Sequence, residues 1–216
     1  MPIMSAPAEE FLEDSLLGLG IKEFHPNQRH CGIIYRPDEN EVRFLHLAFH
    51  FDLRDEVLDG TYWWATCGLD EDNQLVLAAF ASLLAAEDPA VPYGFDSEGL
   101  VFEADTGKLK AGPVGHGLTC ATFVLAVFRT YGFEPLQVKS WQARAEDVQW
   151  QQTILQLMER NGASKDHVDA IRSSEPSQRF RPEEVVGGAS QTSERWGFDY
   201  DATQVLAAQV LADMAA

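Results

Sequence analysis

The chain has 216 residues, 45% of them hydrophobic and 23% charged, enough to bury roughly 70% of its unfolded surface around one core, which excludes a disordered chain. Its 16 Lys and Arg against 34 Asp and Glu give a net charge of −18, the wrong sign for a general binder of nucleic acid or anionic lipid. No apolar run reaches the ~20 residues that span a bilayer, and Met1–Glu10 lacks the basic-then-apolar order of a signal peptide. A soluble protein of cytoplasmic localisation is expected, and export by a machine that cleaves no leader is compatible with this.

In chain order, Phe11-Leu12-Glu13-Asp14-Ser15-Leu16-Leu17 predicts a short amphipathic helix ended by Gly18 and Gly20, before a loop at His25–Gln28. Cys31–Tyr35 and Val42–Phe51 are two β-rich runs separated by the polar segment Arg36–Glu41, the pattern of a hairpin with a longer loop. From Asp52 the pattern is mixed, with Trp63-Trp64 in an apolar patch and a Leu/Ala-rich helix over Asn73–Ala86. Residues 93–118 hold six glycines and read as loop with one or two short strands. Thr119–Tyr131 is apolar nearly all round and closed by Gly132, which predicts a buried central helix. Helices are further expected over Glu146–Asn161, Ser164–Ser173, Pro182–Ala189 and Asp201–Ala215.

Cys31, Cys67 and Cys120 form an odd set with no CxxC spacing, so a disulfide framework is not expected and each must be judged by its neighbours. Gly115-His116-Gly117-Leu118-Thr119-Cys120 sets the last of them where a glycine-rich loop enters a helix. Unpaired amides and the positive end of the helix dipole there favour thiolate, and the Cys120 amide is a candidate oxyanion donor. Taken alone, Cys120 reads equally well as a small core residue. A base tips the balance, and His30 heads the first hairpin strand, two residues before Gly32, whose missing side chain leaves room on the same face. A loop centred on Asp38 makes paired positions sum to 76 and sets His30 opposite His46. The same sum puts His50 opposite Pro26, outside the first strand.

His30-x-Gly32, a second strand carrying His46 and a cysteine that opens a hydrophobic helix together resemble the circularly permuted branch of the papain-like (NlpC-type) superfamily of cysteine peptidases, amidases and acyltransferases. The resemblance covers residues 28–51 and 115–132. It implies a nucleophile at Cys120, a base at His30 and an orienting residue at His46, with Phe123 packing the nucleophile helix. Thr119, His116 and Gly117 are the further oxyanion or substrate-binding candidates. The implied fold is α+β, papain-like, with a small antiparallel β-sheet packed on a central Cys-bearing helix. One domain over 1–216 would carry a helical insert at about 52–113 and a helical extension at about 134–216. The implied reaction is acyl transfer on an amide, isopeptide or thioester bond of a peptide, modified-protein or peptidoglycan-like substrate, with no cofactor and no metal.

Two other readings compete. His46-x-x-x-His50 with Asp52 and Cys31 or His30 has zinc-ligand chemistry, but strand positions four apart lie ~13 Å apart along the chain. A binding or adaptor module would keep the scaffold without the reaction. The acidic surface favours a basic protein partner in either case. His25 and His116 read as solvated loop residues, and His167 as a residue on the polar face of a helix.

Overall fold

The computed structural model describes residues 3–5, 15–38, 41–58, 60–110, 112–174 and 178–216. Five strands, β1 (Leu17–His25), β2 (Gln28–Asp38), β3 (Glu41–Phe49), β4 (Asp52–Val57) and β5 (Trp63–Thr66), form an antiparallel sheet in the order β4-β3-β2-β1-β5. Six α-helices follow: α1 (Glu71–Glu87), α2 (Cys120–Thr130), α3 (Ala145–Arg160), α4 (Lys165–Ser173), α5 (Pro182–Ala189) and α6 (Tyr200–Met214). The architecture is α+β, with the sheet packed against several helices, among them the one that begins at Cys120.

Strand alternation sorts the sheet into two faces. Leu17, Leu19 and Ile21 of β1, Cys31, Ile33 and Tyr35 of β2, and Leu45 and Leu47 of β3 enter the main core, where Phe123, Val124, Val127 and Phe128 of α2 are completely buried. The opposite face carries a smaller cluster of Ile34, Phe44 and Trp64. All eight residues of α5 are buried between α6 and the rest of the core.

The expected helix before Gly18 is replaced by a strand from Leu17 onward; Phe11–Asp14 lie outside the described residues. Gly18 and Gly20 do not end an element but lie within β1. A Cβ on Gly20 would meet the Phe44 ring at 2.7 Å, so this glycine lets the outer cluster lie flat on the sheet. The turn at Pro26-Asn27 joins β1 to β2, with Asn27 in the left-handed region at φ 61°. The β2–β3 hairpin is present, but β2 runs to Asp38 and β3 starts at Glu41, so its connection is shorter than expected. The stretch 52–113, expected as a helical insert, opens with β4 and β5, strands of the same sheet. Charged residues fill β4, and this hid it, because an edge strand protected by charge lacks apolar alternation. The helices from α1 onward lie within a few residues of their predicted spans.

Candidate active site

Thr119 caps α2: its hydroxyl accepts from the Thr122 amide at 3.1 Å, and its own amide donates to the Thr122 hydroxyl at 2.8 Å. The cap holds Cys120 as the first helical residue, and its N–H has no acceptor within the helix. The hydroxyl and amide of Thr119 are both consumed by the cap, although the residue lines the same pocket as Cys120.

The β2–β3 ladder runs through Ile33↔Leu45 and Ile34↔Phe44, so paired positions sum to 78 rather than 76. His46 therefore faces Gly32, and His30 faces the position of Ala48. The change is an even one, so both histidines keep the face predicted for them. A Cβ on Gly32 would meet the His46 Cβ and the Leu45 carbonyl, each at 2.7 Å, so only glycine admits His46 here. The two imidazoles meet on the diagonal, with His30 Nε2 and His46 Nδ1 2.7 Å apart. Phe44 stacks on His46 at a centroid distance of 4.8 Å and fixes its plane.

At the His30 end of the hairpin β2 continues along β1 (Lys22↔His30) and β3 along β4 (Leu47↔Leu53). A pocket of about 210 Å³ lies between these strand ends and the start of α2, and His30 and Cys120 both line it. The Cys31 thiol and amide and the His30 ring are the groups that act on the charge of the Cys120 sulfur. The Cys31 thiol lowers the Cys120 pKa most; burial opposes it, and the charge and hydrogen bond of His30 reinforce it, leaving Cys120 well below an ordinary thiol. Burial and the neighbouring Cys120 push Cys31 well above the ordinary value, and burial pushes Cys67 up to about 12. Of the three free thiols, Cys120 is the one whose pKa is lowered.

Burial first, and the His30 charge second, lower His46 to about 4, so its ring is neutral near pH 7. Its Nε2 lies 3.5 Å from a Glu56 carboxylate oxygen, which can only accept. The proton of His46 is thus assigned to Nε2, and its Nδ1 accepts from His30 Nε2–H.

His116 and Gly117 do not line this pocket. Gly117 N–H donates to Asp96 at 2.5 Å, and His116 Nδ1 lies 3.1 Å from the same carboxylate. Gly117, expected as a substrate-binding candidate, and Gly115 instead admit the protein's own chain: a Cβ on Gly117 would meet the Pro92 carbonyl at 2.5 Å, and one on Gly115 the Ala170 Cβ at 2.7 Å. His50 and His167 fix the same loop. His50 Nδ1 accepts from the Tyr93 amide at 3.0 Å, while His167, buried rather than on a polar face, donates from Nε2 to the Tyr93 carbonyl at 2.8 Å and accepts from Gly115 N–H at Nδ1. His46 and His50 serve different partners, and among the described residues no group of three or more His, Cys, Asp or Glu is placed to hold a metal ion.

Sequence reasoning missed Cys31 as a partner of Cys120, because alternation alone marks it as core. It also missed the far wall of the pocket, formed by Trp150, Ile154 and Leu157 of α3 with Arg179 and Phe180. Ile154 and Leu157, apolar positions of an amphipathic helix, are the trace of that wall the sequence carries. No helix among the described residues is long and apolar enough to cross a membrane. No family model matches the chain, and neither the curated proteins nor the solved structures contain a match to it.

Proposed function

We propose that the protein is a thiol hydrolase or acyltransferase that breaks an amide, isopeptide or thioester bond through Cys120, His30 and His46, in a circularly permuted papain-like arrangement. The observation that carries this reading is the pocket that Cys120 and His30 both line, with His30 Nε2 2.7 Å from His46 Nδ1. His30 holds the proton taken from Cys120, and the thiolate attacks the acyl carbon. The oxyanion forms against the Cys120 amide. His30 then gives its proton to the leaving group, and water or another acceptor, deprotonated by His30, cleaves the thioester. His46 keeps the His30 ring in the productive tautomer, so its loss costs less than that of His30 or Cys120. Peptide, modified-protein and peptidoglycan-like substrates all present the carbonyl this chemistry needs.

An adaptor without activity is the second reading, and the 8% exposure of Cys120 is the observation in its favour. Labelling with iodoacetamide at pH 7 separates the two. A nucleophilic Cys120 reacts fastest of the three cysteines, and His30→Ala slows it by roughly tenfold or more. Equal rates at all three, or reaction only in denaturant, would establish the adaptor.

A further inference from the structure

In acyl transfer through Cys120 the acyl half of the substrate stays on the sulfur, so it must occupy the pocket that the sulfur lines. That pocket is walled chiefly by Phe49, Tyr93, Trp150, Ile154, Leu157 and Phe180. Its two cationic residues are already matched: Arg29 pairs with Glu183 at 3.0 Å, and Arg179 pairs with Asp147 at 3.3 Å while its guanidinium lies 3.9 Å from the Trp150 ring centre. An anionic acyl group would have to break one of these pairs, and a cationic one would meet two guanidinium groups. At about 210 Å³ the space is below the roughly 300–1,000 Å³ of pockets that enclose a whole drug-sized ligand, so it suits one side group rather than a long chain. A second hollow of about 250 Å³, lined by Lys22, His30, His46 and Tyr62 but not by Cys120, meets the first at Phe24, His30 and Ala48.

Resting on the acyl-transfer reading, we infer that the substrate's acyl half carries one uncharged apolar group, the size of an aromatic or branched aliphatic side chain, seated against Trp150, Ile154 and Phe180. The leaving half departs past His30 into the second hollow. His30 stands where the two meet, as a group that protonates the departing atom must.

Aminoacyl chloromethyl ketones, whose side chain takes the place of the acyl group, test this by alkylation of Cys120 in the full-length protein. The phenylalanyl and leucyl reagents are expected to react roughly 30-fold faster than the glutamyl and lysyl ones. Ile154→Asp should cut that preference to about threefold, each reagent's rate being taken relative to the iodoacetamide rate of the same variant. Leu157→Asp, at the exposed rim, is the second variant should the first fail to fold, with a smaller loss of preference in the same direction. Labelling of wild-type Cys120 without side-chain preference, or a preference unchanged in a folded variant, overturns this inference and leaves the nucleophile standing. Failure of every reagent, iodoacetamide included, to reach Cys120 overturns both.

Discussion

Replacing Cys31 with Ala removes the thiol that lowers the pKa of Cys120 most, while the His30 ring and the Cys31 amide stay in place. The expected result is iodoacetamide labelling of Cys120 roughly tenfold slower at pH 7, with the deficit closing above pH 9 as the thiol ionises unaided. An unchanged rate at pH 7 would place the acidity of Cys120 in His30 alone. Acid stability tests the histidines at the same scale. His46 is lowered to about 4 by burial and the His30 charge, and His50 is lowered by burial and His167, against an ordinary value near 6.5. Between these limits the unfolded chain binds more protons than the folded one. The stability these neutral rings contribute is therefore complete above about pH 6.5 and lost as pH falls towards 4. Urea unfolding should show a loss of order 2 kcal/mol across that window, diminished in His46→Gln; a flat profile would contradict a neutral, buried His46. His46 was picked from the sequence as the residue opposite His30; that pairing is two positions off the observed register, but an even error keeps both rings on one face. Cys31 was not, because nothing local distinguishes a core cysteine from one whose thiol touches a nucleophile.

The α3 wall of the pocket is tied to α5 by ion pairs. Asp147 of α3 is buried, and against the burial that would raise it Arg144 and Arg181 hold its carboxyl below the usual range; Arg179 adds a third contact at 3.3 Å. Arg144 also bonds Glu184 of α5, so the cluster joins α3 to α5 along the wall that carries Trp150. Asp147→Asn leaves the buried Arg179 without its paired carboxylate and removes one of two from each of Arg144 and Arg181, and should cost about 3 kcal/mol in urea unfolding, well beyond a surface carboxylate change. A cost below about 1 kcal/mol would mean that apolar packing alone fixes α3. The helices were legible in the sequence because caps, Gly132, Gly162 and the proline at the start of α5 are local signals. β1 and β4 were not. Gly20 of β1 answers to a ring on β3, and the charges of β4 answer to its place at the sheet edge.

Over the whole molecule a net charge of −18 opposes compaction, and the matched pairs around Asp147 offset little of it. Raising NaCl from about 10 to 200 mM should screen the exposed carboxylates and raise the melting temperature by a few degrees, since buried pairs are screened far less. A fall in melting temperature would mean that ion pairs outweigh self-repulsion. Charge, the α+β class, most helix spans and the identity of Cys120, His30 and His46 as candidates follow from the sequence by itself, because each depends on composition, capping or a period of two or 3.6. The register of β2 on β3, the contact of Cys31 with Cys120, the use of Gly115 and Gly117 for internal packing and the apolar wall from α3 were decided by tertiary structure alone. Each is a meeting of residues distant in the chain, and its geometry is set by close packing between elements rather than by any local preference of the residues that meet.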